Sequence, residues 1–205
     1  LAIRTFNHSD LEEYAKWSDK PIINALTDLE HPCQALADFL TIKEVFGKLE
    51  GLVLTFIGDG NNVANSLIMC GLLLGVKVRI ACPKGFEPNS HILKKVKDLD
   101  NFSNLEIMNN PIEAASGANI IYTDVWSSMG EEKDKLSKDK KFEGFSIDKN
   151  LLKGSDPESI VLHCLPAYRG KEITDEVLES KKSKVFDQAE NRLHIQQALL
   201  YSLLQ

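Results

Sequence analysis

Cysteine is scarce and scattered: four residues, Cys33, Cys70, Cys82 and Cys164, with no C-x-x-C pair among them. That pattern excludes a disulfide framework or zinc knuckle and fits a reducing compartment. A basic excess is also missing. The net charge is −6, and no basic face offsets it, which argues against a nucleic-acid partner. Long apolar runs are absent as well. Stretches such as "SLIMCGLLLGV" (66–76) are too short to span a bilayer. Residues 1–30 carry acids throughout and no continuous apolar core, so no signal peptide is expected. No internal repeat or low-complexity linker interrupts the chain. These absences lead to an expected cytoplasmic protein without a membrane partner.

What is present is ordinary for a folded chain: 43% hydrophobic and 26% charged residues over 205 positions, enough for one large domain or one domain plus part of another. Short β-rich runs alternate with helical patterns. Strands are expected at "LVLTFIG" (52–58), "VKVRIAC" (76–82), "LEIMN" (105–109), "ANIIYTD" (118–124), "SIVLHCL" (159–165) and "SKVFDQ" (183–188). Helices are expected between them, at 59–75, 90–100 and 111–117, the last with Pro first and Gly last. "EEKDKLSKDKK" (131–141) mixes both signs and reads as a solvated helix face.

Such alternation implies βαβ crossovers: a doubly wound, mainly parallel α/β sheet covered on both faces. Two helices fall outside the repeat, at 31–47 and 189–204. "LAIRTF" (1–6), "SDLEEYAKWSD" (9–19) and "PIINAL" (21–26) make one further βαβ unit, too small to hold a core alone.

Ligands in open α/β sheets bind beyond the carboxyl ends of the strands, which nominates 58–62, 123–130, 163–170 and 187–192. "GDGNNVANS" (58–66) is a Gly-rich strand-to-helix turn, but Val63 occupies the third glycine position of a dinucleotide fingerprint. No acidic ribose anchor follows "VKVRIAC" either, so a nucleotide-dependent oxidoreductase is disfavoured. The turn is either a tight corner needing small residues or a place where Asn61 or Asn62, at a helix N-terminus, meets a carboxylate-bearing ligand. Asp124 ends a strand, as a helix cap or as counter-ion for a ligand amine. His31 and Gln34 share the first face of a helix and suit a planar carbonyl-and-amide group better than a metal, because no carboxylate or second His lies at ligand spacing. Cys33 is expected to be buried packing. Arg192 opens the last helix beside Glu190, as a surface ion pair or as a phosphate or carboxylate anchor. His8, His91 and His194 show no convergent partners and receive no role. In "HCLPAYRGKEI" (163–173) the His, Cys, Pro and Arg leave open a metal site, a nucleophile or a plain strand end.

Taken together, "HPCQALAD", "GDGNNVANS", "TDVWSSMGEE", "HCLPAYRG" and "FDQAENRLHIQQALL" resemble, in order and spacing, the ornithine carbamoyltransferases, and the resemblance runs from "IRTF" to the last helix. The "SMG" and the Cys of "HCLP" favour the ornithine enzyme over its aspartate-using relative. The resemblance implies transfer of a carbamoyl group from carbamoyl phosphate to the δ-amine of L-ornithine, without metal or organic cofactor. It places Arg4, His31, Gln34, Arg192 and the backbone carbonyls of Cys164 and Leu165 at carbamoyl phosphate. It places Asn62, Asp124, Ser128 and Met129 at ornithine, and makes Cys164 a proton acceptor rather than a covalent nucleophile. His163 and Pro166 would then shape the strand end. It also implies the end of a carbamoyl-phosphate domain at 1–30, an interdomain helix at 31–48, a Rossmann-like ornithine domain at 49–188, and a returning helix at 189–205. A homotrimer is implied for the complete enzyme. One departure stands out: the family's Ser-Thr-Arg-Thr phosphate loop does not occur in these 205 residues. The chain alone is therefore expected to be incomplete and without useful transferase activity, and a non-catalytic ornithine-binding or interaction module is the alternative.

Overall fold

The computed structural model of the chain describes residues 1–127 and 135–205, with only the backbone of 135 and 136. Seven strands and nine α-helices follow in order among the described residues: β1 (Ala2–Arg4), α1 (His8–Trp17), β2 (Ile23–Leu26), α2 (Pro32–Phe46), β3 (Val53–Ile57), α3 (Asn62–Leu73), β4 (Lys77–Ala81), α4 (Ser90–Val96), β5 (Leu105–Met108), α5 (Pro111–Ala115), β6 (Ile120–Thr123), α6 (Lys135–Lys141), α7 (Lys149–Leu152), β7 (Ile160–His163), α8 (Asp175–Leu178) and α9 (Val185–Leu203). β3 to β7 form one parallel sheet in the order β5-β4-β3-β6-β7, and β1 pairs with β2 in a separate two-stranded sheet. The doubly wound α/β architecture is as expected.

Burial on both faces explains the near-continuous apolar strands. In β6, Ile120 and Tyr122 join one core, with Phe39, Leu67 and Val78, while Ile121 joins the other, with Trp126, Phe142 and Ile147. Strand side chains alternate between faces, so both sets must be apolar when helices cover both sides. α3 lies close enough to the sheet that a Cβ on Gly71 would stand 2.6 Å from Val78 Cγ2. In the first unit, by contrast, only Leu11 of α1 is buried, and Phe6, Tyr14 and Trp17 are exposed. No helix among the described residues is long and apolar enough to cross a membrane.

Four expectations are corrected. "SKVFDQ" is not a strand: only Ser183 bridges to Val161, and the chain then enters α9 at Val185. Tertiary packing overrides local β-propensity here, because Val185, Gln188 and Asn191 form the buried stripe that seats α9. Consequently 187–192 is no strand end, and Arg192 lies two turns into α9 rather than opening it. β7 stops at His163, two residues early, and Leu165 has a left-handed φ of 54° before a cis bond to Pro166. The charged stretch is only partly a solvated face. Lys138 is buried, its ammonium 2.6 Å from Asp59 and over the Phe86 ring.

Candidate functional site

The strand order reverses between β3 and β6, and that crevice is where a doubly wound sheet offers a site. The turn after β3 is set by contact: a Cβ on Gly60 would lie 2.4 to 2.6 Å from backbone atoms of Phe86, Glu87 and Pro88. Asn61 then caps α3, its Oδ1 accepting from Val63 N (3.0 Å) and Ala64 N (3.1 Å). With that oxygen occupied, Asn61 Nδ2 faces the end of β6 and donates to Asp124 Oδ2 at 2.7 Å. Asp124 Oδ1 accepts from Val125 N at 2.8 Å and from the Cys164 thiol at 3.0 Å. So Asp124 is not a helix cap; it is a buried carboxylate at the switch point, shared by three strand ends.

Burial pushes the Cys164 thiol well above its ordinary range, and the adjacent Asp124 charge pushes it further. Cys164 is thus a proton-bearing donor in this arrangement. Asp124, His163 and Cys164 hold their donor atoms within 4.8 Å of one another. His163, however, accepts from Leu165 N at Nδ1 (2.9 Å) and meets Glu172 Oε1 through Nε2 (3.2 Å), so both ring nitrogens are engaged in shaping the loop. Glu172 Oε1 also accepts from Tyr168 N at 2.5 Å.

A second wall is built by α2 and α9. His31 sits at the N-terminal cap of α2, its backbone N–H donating to Ser66 Oγ at 2.7 Å, with Nδ1 buried and unpartnered. Burial first, then the Arg192 and Arg4 guanidinium groups, lower its pKa to about 4. The imidazole is therefore neutral near pH 7 and sits in a cationic field. Gln34 Oε1 accepts from Arg192 Nη1, and Gln34 Nε2 donates to Asp38 Oδ1 at 2.8 Å. With the Gln196 amide turned so that its oxygen faces the guanidinium, the remaining Arg192 nitrogens donate to it at 2.8 and 3.1 Å.

α3 joins the two walls. Asn62 Nδ2 donates to Thr27 O (2.7 Å), Asn65 Nδ2 to Leu29 O (2.9 Å), and Ser66 receives His31. Asn62 is thus engaged at the joint through its amide nitrogen.

The chain's relatives supply the context for this arrangement. Residues 50–203 match the family model described as the Asp/Orn binding domain of aspartate/ornithine carbamoyltransferase, and residues 1–44 match its carbamoyl-P binding domain. The chain belongs to this family. It is 69% identical, over its whole length, to 67% of the ornithine carbamoyltransferase of Prochlorococcus marinus subsp. pastoris, and 53% identical to 67% of the Synechocystis one. Solved ornithine carbamoyltransferases from Gloeobacter violaceus (TM-score 0.90, 48% identity, all of this chain and 70% of that one) and Thermus thermophilus (0.89, 46%, all and 66%) share its fold. The chain spans about two thirds of the length of these relatives.

Among the expected site residues of this carbamoyltransferase-family chain, His31, Gln34 and Arg192 converge directly, with Arg4 close enough for its charge to act on His31. Asp124 and Cys164 meet directly, and Leu165 follows them. Ser128 and Met129 lie outside the described residues. Cys33 is buried as expected, its thiol donating to Asn24 O at 3.4 Å. His8 corrects the expectation of no partners: its Nδ1 is 2.9 Å from Thr27 Oγ1 and its Nε2 3.8 Å from both Glu12 and Glu30. The reading from residues missed Asp38, Tyr122, Gln188 and Glu172, which stand behind the site. Asp38, a charged residue in the otherwise apolar "ALADF" of a helix, was the available signal.

Proposed function

We propose that the chain carries the ornithine wall and part of the carbamoyl-phosphate wall of an ornithine carbamoyltransferase. The reaction moves the carbamoyl group of carbamoyl phosphate onto the δ-amine of L-ornithine, releasing L-citrulline and phosphate. One observation carries this: a cationic wall with a neutral imidazole stands beside a buried carboxylate with a protonated thiol, in a chain of this family.

In this reading Arg4 and Arg192 hold the phosphate, since guanidinium stays charged and can grip two oxygens at once. Neutral His31, with Gln34 beside it, donates to the carbamoyl oxygen, where negative charge grows as the amine attacks. The backbone carbonyls of Cys164 and Leu165 accept from the carbamoyl NH₂. Asp124 pairs with the ornithine α-ammonium, with Asn62, Ser128 and Met129 beside it. The Cys164 thiol donates to Asp124 until a cationic amine docks and lowers the thiol pKa. The thiol then releases its proton to solvent, and the thiolate accepts the proton that the δ-ammonium sheds as it becomes the attacking amine, without forming a thioester. No metal or organic cofactor enters this scheme. The chain divides as 1–30, 31–48, 49–188 and 189–205, in the roles given above, and the complete enzyme is a cytoplasmic homotrimer in arginine biosynthesis.

Citrulline release from the two substrates tests this. The 205 residues lack a Ser-Thr-Arg-Thr run. Missing positioned charge of that kind typically costs about 10²- to 10³-fold per donor. Restoring such a carbamoyl-phosphate segment ahead of residue 1 should raise turnover by at least that factor. A complete enzyme that binds ornithine yet makes no citrulline would favour a binding module instead.

A further inference from the structure

Behind the two walls lies a buried polar layer that the mechanism above does not use. Asp38, fully buried on α2, accepts at Oδ1 from Gln34 Nε2 (2.8 Å) and from Gln188 Nε2 (2.6 Å) on α9. Its other oxygen, Oδ2, is buried without a hydrogen-bond partner. Gln188 Nε2 also donates to the Tyr122 hydroxyl at 3.1 Å, and Gln188 Oε1 accepts from His163 N at 3.0 Å, one residue before Cys164.

A glutamine amide has a donor end and an acceptor end, and by itself nothing decides which way it turns. Gln34 and Gln188 are each held between opposites. Their NH₂ groups face a carboxyl oxygen, and their carbonyls face groups that can only donate: the Arg192 guanidinium for Gln34 and the His163 backbone N–H for Gln188. One oxygen therefore orients both amides. We propose that Asp38 is a positioning residue of this site: through Oδ1 it aims Gln34 at Arg192 on one wall and Gln188 at the His163–Cys164 strand end on the other. Fully buried, it offers no surface to either expected substrate. The inference deepens the carbamoyltransferase reading and rests on it for its catalytic meaning, whereas the hydrogen-bond geometry stands without it.

Charge on Asp38 supplies a readout. Burial raises its carboxyl pKa to about 7, against the lowering effect of Gln34, Gln188, Tyr122 and Arg192. The groups facing it are Gln34 on its own helix, Cys70 from α3, Tyr122 from β6, Cys164 after β7, and Gln188 and Arg192 from α9. Of these, Cys70 is pushed up to about 11, and Tyr122 and Cys164 are raised well above their ordinary ranges. His31, near 4, titrates well below. A transition near pH 7 shared by both walls and lost in Asp38→Asn would report Asp38; the variant separates it from the His163 imidazole, whose backbone N–H is one of the probes.

The test is side-chain and backbone NMR of the labelled 205-residue chain between pH 5 and 9, roughly two units either side of that midpoint. The Gln34 and Gln188 amides, the Arg192 Nε–H and the His163 N–H should shift with the midpoint of the Asp38 carboxyl carbon. In Asp38→Asn, which keeps an acceptor of the same shape, that shared transition should vanish while the rest of the spectrum persists. Probes that stay still, follow separate midpoints, or keep their transition in Asp38→Asn would overturn the proposal. If Asp38→Asn does not fold, the wild-type titration alone still decides, because four unlinked midpoints refute the coupling. Turnover is not among the readouts, so failure of the carbamoyltransferase reading would leave this result untouched.

Discussion

His31, at the start of α2, and Cys164, just after β7, are both kept uncharged near neutrality by burial, yet their fields are opposite. Two guanidinium groups surround His31 and help hold its pKa near 4, whereas a carboxylate meets Cys164 and helps hold its thiol protonated. Burial alone would have made two similar neutral groups. The neighbours make one wall fit for an anion and the other for an amine. That polarity suits the proposed reaction, in which an anionic acyl phosphate meets a cationic diamine.

The comparison breaks most completely if the walls come apart, and Gly60→Ala should do that. The new methyl would overlap backbone atoms of Phe86, Glu87 and Pro88, which cannot yield as a flexible side chain can. A loss of about 3 kcal/mol or more is expected in denaturant melts, together with weaker Asn61–Asp124 coupling. A melt unchanged from wild type would mean that the turn tolerates side chains.

Charge on the second wall comes next. Asp124→Asn keeps the size of the side chain and removes its charge, so calorimetry should show L-ornithine binding weakened by about 2–5 kcal/mol. Binding of carbamoyl phosphate should change little. Equal losses for both ligands would erase the division between the walls.

The first wall is sharpened by pH. A His whose folded pKa lies below its unfolded value of 6.5 is neutral when folded and takes up a proton on unfolding between about 4 and 6.5. Its contribution is therefore fully present above 6.5 and is lost as pH falls to 4, by at most about 3 kcal/mol. Asp38 slopes the other way: its raised pKa means stability is lost as pH rises from about 4 to about 7. The difference between wild-type and His31→Gln melts isolates the first slope. The smallest effect is expected from Arg192→Gln, which should raise the His31 pKa while leaving it below 6.5, because burial is the larger cause. An imidazole titration by NMR checks it.

Much of this was legible in residues. The near-apolar runs of β3, β6 and β7, with the alternating β4 and β5 toward one edge, point to a parallel sheet where helical patterns separate them, since the crossover helices cover both faces. Asp124 and Cys164 could be nominated because ligands of open α/β sheets bind beyond the carboxyl ends of the strands, although a helix cap or a plain strand end accounted for each equally well in the residues alone. "SKVFDQ" misled because its β-branched and aromatic residues are locally strand-like, while the amides that seat α9, Gln188 and Asn191, carry no local signal. Their partners, Asp38 at 2.6 Å and Thr41 at 2.9 Å, are about 150 residues away in sequence.

The sequence by itself determined which faces are apolar, where strands and helices alternate, and which residue types stand at strand ends, because those follow from periodicity and local backbone preference. Only the tertiary structure decided that His31 is neutral, that Cys164 is protonated against Asp124, and that Asp38 lies behind both. Those properties depend on desolvation and on charges a few ångströms away, contributed by elements that the chain brings together only when it folds.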